Sequence, residues 1–403
     1  MPDHSDSSID LIREKLDQSV SLLERHGIDC WITFVRETAV LPDPVLPFLI
    51  GSDLTWHSAL VVTRHGSRHA IVGNLDKRTV EDLGVYDSVT GYTEGIRRPL
   101  VDLIDALQPR TIAVNFSRDS EIADGLTHGM FLLLRDILSA SRYQGDLVSA
   151  EPILSGLRAR KSTVELSRIR QAILDAQAIF SEVRSVIRPG LSELDIAAFM
   201  LGRVDELGLQ TAWERGHCPS VFTGPDTAGA HYRPTDRKVL PGHILNMDFG
   251  IRRDDYCSDL QRTWYIRESQ TSGIPGDVSH GFSTIVESIE LARRAIRPGR
   301  AGAEIDSVAR QYIVDKGYAS FPHALGHQVG RFAHDGTALL GPFWEKYASK
   351  PGIPIEEGMV FTIEPRLTVP GRGIVTIEEM VVVTADGAEF LSDPQQELWI
   401  AEA

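Results

Sequence analysis

The sequence predicts two domains in series, an α/β domain over residues 1–155 and a larger α+β domain over residues 156–403. Three observations carry this. A chain of 403 residues exceeds what one hydrophobic core usually supports. The first ~150 residues alternate helical and strand patterns. Near residue 155 the pattern changes to long amphipathic helices followed by paired strands, so the boundary falls within 150–160.

In the first domain, Ile9, Ile12, Leu16, Val20 and Leu23 recur at helical spacing, with Ser7 or Ser8 as N-cap and Gly27 past the end. Cys30-Trp31-Ile32-Thr33-Phe34 is a strand-type apolar run. Ser58–Thr63 and His69–Gly73 flank Arg64-His65-Gly66-Ser67, which predicts a hairpin. Thr111–Val114 reads as a strand and Gly129–Leu138 as a helix. No catalytic cluster is visible here, so this half reads as a scaffold or lid. The second domain opens on a capping box, Ser162 with Glu165 three residues on. Its helix runs through Leu166, Ile169, Ala172, Ile173, Ala176 and Ile179 and ends before Pro189-Gly190. A second helix follows from Ser192 to Leu207, with Gly208 at C′.

Composition bounds the function. With 41 Lys+Arg against 56 Asp+Glu, the net charge is 41 − 56 = −15. That balance argues against nucleic acid and anionic membranes, both of which need basic patches. No run approaches the ~18 apolar residues of a membrane span, and MPDHSDSSID has no signal-peptide pattern. Cys30, Cys218 and Cys257 are scattered and odd in number, which fits a reducing cytoplasm and no disulfide framework.

Two hairpins carry the acids. Asp248 lies in Ile-Leu-Asn-Met-Asp-Phe-Gly and Asp259 in Tyr-Cys-Ser-Asp-Leu-Gln-Arg-Thr, around the turn Arg252-Arg253-Asp254-Asp255. Symmetric pairing about that turn sets Ile251 against Tyr256 and Asp248 against Asp259, with Cβ atoms ~5 Å apart on one face. Centring the later turn on Gly371 sets Glu364 against Glu378. Asp248 and Glu364 sit in otherwise apolar strands, and buried carboxylates there need a metal or a strong partner. His323-Ala-Leu-Gly-His327-Gln-Val-Gly adds two histidines four apart. Pro322, Gly326 and Gly330 argue against a helix there, hence against a helical zinc pair. His231 and His334 complete a set of four.

These words together resemble the pita-bread metallopeptidases, in their Xaa-Pro branch of prolidase and aminopeptidase P. Asp-x10-Asp, then His, Glu and Glu, matches the family's dinuclear site. The resemblance implies a creatinase-like first domain and a pita-bread catalytic domain. It implies two divalent ions on Asp248, Asp259, His327, Glu364 and Glu378, which distinguishes the chain from metal-free creatinase. Oxygen-rich ligands suit Mn2+, with Co2+ or Zn2+ as alternatives. Two such ions would bring the chain to roughly −11. They would bridge and activate a water, with Glu364 taking its proton and passing it to the proline nitrogen. By the same resemblance His231 and His334 contact the substrate or its tetrahedral centre, and His323 shapes a proline pocket.

One departure concerns the substrate carboxylate. The family usually has Arg directly before Ile-Glu in the last strand, where this chain has Thr376. The stretch after His334, Asp335-Gly-Thr-Ala-Leu, also differs. Candidates for the missing donor are Arg366, Arg372, Tyr232 and, acting across a homodimer, Arg36. The expected function is an Xaa-Pro dipeptidase of the cytoplasm acting on small peptides. The alternatives are an Xaa-Pro aminopeptidase on longer peptides, or a non-peptidase enzyme of the same fold acting on a small molecule.

Overall fold

Ile12, Leu16 and Leu23 bury one face of the first helix, Asp6–His26, and Gly27 closes it at φ 64°. A residue without Cβ takes that left-handed position at no cost. The helix starts ahead of Ser7 and Ser8, so these lie within it and not at its N-cap. The computed structural model describes residues 6–227 and 232–402. The chain divides into two compact units, one ending at Arg158 and the other beginning at Ala159.

The first unit is a six-stranded mixed sheet. Its strands are β1 (Cys30–Val35), β2 (Ser58–Thr63), β3 (Arg68–Gly73), β4 (Ser88–Tyr92), β5 (Ile112–Val114) and β6 (Leu147–Ser149), in the order β4-β3-β2-β1-β5-β6. The predicted hairpin is β2–β3, with Val62 against Arg68. Central β1 is buried throughout. Cys30, Ile32 and Phe34 feed one core cluster while Trp31 and Val35 feed another, as the two-residue period of a strand requires. Helices cover both faces, which makes the unit α/β.

In the second unit, Ser162 accepts from the Glu165 N–H and Glu165 Oε2 accepts from the Ser162 N–H, closing the capping box of helix Thr163–Arg184. Helix Glu193–Glu206 follows, with a matching box between Ser192 and Asp195. The strands that matter for the site are β7 (Gln210–Thr211), β8 (Ser220–Thr223), β9 (Ile244–Phe249), β10 (Ile251–Arg253), β11 (Tyr256–Cys257) and β12 (Leu260–Ile266). They are followed by β13 (Gly326–His327), β14 (Leu339–Leu340), β15 (Val360–Ile363), β16 (Arg366–Val369), β17 (Gly373–Thr376) and β18 (Glu379–Val383). Helices Gly276–Ala295 and Gly302–Asp315 supply Ile285, Ile289, Ile305 and Ala309 to a core shared with Phe361, Ile363, Leu367 and Val369. The alternate residues Thr362, Glu364 and Arg366 therefore turn to the opposite face.

Register decides which acids meet. The Gly371 hairpin pairs as counted: Ile363 lies against Glu379 and Arg366 against Thr376, so Glu364 falls opposite Glu378. The other hairpin differs from expectation. Its turn is Asp254-Asp255, both at positive φ (47° and 66°), with Arg253 against Tyr256. Asp248 consequently pairs with Gln261, not Asp259. A two-residue displacement preserves facing, so both aspartates remain on one side of the sheet. Among the described residues no helix is long and apolar enough to cross a membrane, and the three cysteines are free and buried.

Candidate metal centre

Asp248 projects from a strand whose six residues are all buried, and it is itself 4% exposed. Its Oδ1 has no hydrogen-bond partner. Gly250 lets the strand pass the Ser258 carbonyl, where a Cβ would come within 2.2 Å of the oxygen. Asp259 follows Ser258, and its N–H reaches Met380 Sδ at 3.3 Å. Gly326 lies so close to β15 that a Cβ would meet the Thr362 carbonyl oxygen at 1.9 Å. That close approach seats His327, whose N–H donates to Thr362 Oγ1 at 3.1 Å.

The His327 ring is the centre of the cluster. Its Nε2 lies 3.4 Å from Glu364 Oε1, 3.8 Å from Asp259 Oδ2 and 4.0 Å from Glu378 Oε1. Ligand atoms of Asp259, His327 and Glu378 all fall within 4.8 Å of one another. With its proton on Nδ1, 3.3 Å from the Gln328 carbonyl, His327 offers the Nε2 lone pair to the carboxylates' side.

Electrostatics make the cluster unstable as four bare anions. Burial raises Asp248 to about 7. Asp259 is raised well above the usual carboxylate range by burial, then by Asp248 and Glu364. Glu364 is raised by burial and by Asp248. Glu378 is raised by burial, then by Asp259, Glu364 and Asp248. An orphaned Asp248 oxygen and converging oxygen donors with one imidazole fit hard divalent cations, which would let all four carboxyls ionise.

A second layer holds Glu378. Gln261 Nε2 donates to Glu378 Oε2 at 2.8 Å, and Thr376 Oγ1 lies 3.1 Å from Gln261 Oε1 and 3.2 Å from the Pro365 carbonyl oxygen. Thr376 thus spends its hydroxyl on fixing Gln261. The neighbouring Glu379 faces away and forms a buried pair with Arg262, both Oε atoms lying 3.1 Å from guanidinium nitrogens. Residues that orient ligands typically contribute ~10–100-fold in metal affinity. Gln261→Leu is expected to weaken Mn2+ binding by that order in titration calorimetry. An unchanged affinity would remove the orienting role.

A cleft of about 350 Å³ opens over the acids and is walled by Trp213 and Phe332 on its apolar side. Asp248, Asp259, His327, Glu364 and Glu378 all line it, as do Gln261 and His334. The His334 ring is exposed and stands 4.1 Å from the His327 ring, centroid to centroid. His323 is outside the lining; its Nδ1 lies 2.8 Å from the Ala324 carbonyl oxygen. Burial brings His323 down to about 4; Arg366, Arg310 and Lys346 add to this, and the Ala324 contact opposes it.

The remaining candidates scatter. His231 lies outside the described residues. Tyr232 is half-buried, does not line the cleft, and accepts the Ser220 hydroxyl at its carbonyl at 2.7 Å. Arg36 is exposed at the end of β1 in the first unit. Arg372 requires a correction as a substrate residue. Its guanidinium sits 3.0 Å from Glu268 and 3.3 Å from Asp277 and also donates to the Gly242 carbonyl, so its charge is already compensated away from the cleft lining. Arg366 is half-buried on β16, beyond Glu364. Gln261, Trp213 and Phe332 went unnoticed in the sequence. Only Gln261 carried a signal, its place in Asp-Leu-Gln-Arg-Thr two residues from a ligand.

The family model described as metallopeptidase family M24 matches residues 167–385. An uncharacterized peptidase of Staphylococcus aureus is 31% identical over 237 residues, 59% of this chain and 63% of the relative. The match thus spans less than two thirds of that relative's length. A solved Xaa-Pro dipeptidase from Bacillus anthracis superposes with a TM-score of 0.73 at 21% identity, covering 97% of this chain and 100% of that one. An X-Pro aminopeptidase from Thermotoga maritima does so with a TM-score of 0.71 at 24% identity, covering 94% and 99%.

Proposed function

We propose, for a chain that belongs to metallopeptidase family M24, the metal-dependent hydrolysis of the Xaa-Pro bond of dipeptides. The observation that carries the reading is the convergence of three buried carboxyls, the half-buried Glu364 and one imidazole on a single cleft. Residues 156–403 would form the pita-bread catalytic domain and residues 1–155 its creatinase-like companion, in a cytoplasmic homodimer.

Asp248, Asp259, His327, Glu364 and Glu378 would hold two divalent ions, with Mn2+ the metal that best suits their oxygen-rich set. Such ions supply Lewis-acid polarisation of the scissile carbonyl and a lowered pKa for an attacking water. The protein's own groups do the rest. Glu364, with burial raising its carboxyl, accepts a proton at Oε1 and returns it to the departing proline nitrogen. His334, beside His327 at the cleft, donates a hydrogen bond to the developing oxyanion, a task shared with His231. A tertiary amide has no N–H to offer. The apolar walls of Trp213 and Phe332 can receive a proline ring without leaving a polar group unpaired. His323 and Tyr232 lie outside the cleft lining, so any part they take in holding substrate would be indirect, and Arg36 would act only from a partner subunit.

A cleft of about 350 Å³ is large enough for a small ligand such as a dipeptide. The test is Mn2+-supplemented hydrolysis of Ala-Pro, Leu-Pro and Xaa-Pro-Xaa tripeptides side by side. Both dipeptides should be cleaved and the tripeptides resist. Cleavage of tripeptides alone replaces the dipeptidase reading with an aminopeptidase, and cleavage of none returns the site to a small-molecule substrate.

A further inference from the structure

We infer that Arg366, at the head of β16 two residues past Glu364 and opposite Thr376, is the receptor for the free carboxylate of a dipeptide. The inference rests on the peptidase reading above and names the group that selects substrate length.

Facing comes first. Phe361, Ile363, Leu367 and Val369 enter the core against the two helices, so Thr362, Glu364 and Arg366 share the other face. Thr362 touches both His327 and Glu364 there. Arg366 pairs directly with Thr376, which is bonded to the cleft-lining Gln261. Opposed side chains of a hairpin have Cβ atoms ~5 Å apart. The stem of Arg366 thus starts outside the cleft lining, one residue pair and one hydrogen bond away from Gln261.

Charge comes second. Arg366 has no hydrogen bond or ion pair among the described residues, although it is half-buried. The other arginines of this neighbourhood are neutralised. Arg262 pairs with Glu379, Arg310 with Asp306, Arg331 with Asp255 and Arg372 with Glu268. A half-desolvated guanidinium without an anion is a standing cost, which a carboxylate ligand would relieve through a planar two-bond fork.

Length comes third. Along a strand, Arg366 lies ~6.6 Å from Glu364 at ~3.3 Å per residue. The free carboxylate of a dipeptide lies one residue, at most ~3.6 Å, beyond the scissile carbonyl. With that carbonyl near Glu364, the carboxylate falls between Glu364 and Arg366, where the long arginine stem can reach back to it, whereas a longer peptide carries that charge further on.

The experiment compares Ala-Pro with Ala-Pro-amide on wild type, Arg366→Met and Arg366→Lys, all loaded with Mn2+. Methionine and lysine retain an apolar stem, so packing is largely kept. Wild type should prefer the free acid. In Arg366→Met that preference should fall by about 10–100-fold, as loss of a charge-assisted pair requires, with the change in KM and kcat retained. Arg366→Lys should fall between. A preference unchanged in Arg366→Met, or an equal loss on acid and amide, overturns the inference and leaves the peptidase intact. A Mn2+-loaded wild type that cleaves neither substrate overturns the peptidase reading and this inference with it.

Discussion

Glu364→Gln is expected to lower kcat on an Xaa-Pro dipeptide by on the order of 10³-fold, within the usual range for loss of a general base. The substitution keeps the shape of the side chain and one carbonyl oxygen toward any bound ion, but removes the proton acceptor. Glu364 is the suitable acid on three grounds. It lines the cleft, it stands 3.4 Å from His327 Nε2, and its carboxyl is raised by burial and by Asp248. Glu364 is also the least buried of the four acids, so it can reach a water in the cleft, which the more deeply buried ligands are less placed to do. Glu378 is 2% exposed, with one oxygen tied to Gln261. The measurement is kcat at saturating Mn2+, beside a metal titration and a circular dichroism spectrum. If the variant binds Mn2+ and folds yet turns over within tenfold of wild type, Glu364 is not the proton carrier.

Which parts of this were legible in the sequence follows from the range of the interactions involved. The capping box at Ser162 is closed within four residues, so its letters suffice. The Gly371 hairpin is symmetric about a glycine at φ 74°, and counting from that glycine places Glu364 against Glu378. The Asp254-Asp255 turn misled because two non-glycine residues adopt positive φ there. Aspartate tolerates that region, and a two-residue turn fits the strand twist better than the four-residue loop expected. The aspartates kept their common face because the displacement was even. Arg372 was illegible for another reason. Its partners Glu268 and Asp277 are roughly a hundred positions away and meet it only once the helix Gly276–Ala295 packs behind the hairpin. Trp213 and Phe332 reach the cleft from loops, and no local pattern marks a loop aromatic as a wall.

Stripping the metal is expected to make stability fall as pH rises from about 4 through 7, and Mn2+ is expected to reverse this. The sign follows from the direction of the shifts. Asp248 moves from 3.8 up to about 7, and Asp259, Glu364 and Glu378 also move up. A carboxyl whose folded pKa exceeds its unfolded value keeps its proton in the folded state after the unfolded chain has released it. Below about 4 both states are protonated and the contribution is whole. Between there and the folded values the unfolded state binds fewer protons, so the free energy of unfolding declines with pH. For Asp248 the loss is complete above about 7, and the other three, also raised, add losses of the same sign. A divalent ion replaces those protons, so its affinity must rise over the same interval and its binding must expel protons. At free Mn2+ one hundred times Kd, binding adds about 2.7 kcal/mol, a Tm increase of about 5–10 °C for a domain this size. The check is Tm against pH for chelator-treated and Mn2+-loaded protein, with calorimetry in two buffers of different ionisation enthalpy to count protons. A metal-free Tm that rises between pH 4 and 7 on the strength of these groups, or binding without proton release, would mean the four carboxyls are not held together by mutual burial. The cluster would then lose its physical case for being a cation site, because only a group of acids that resists ionising alone gains its charge from the metal.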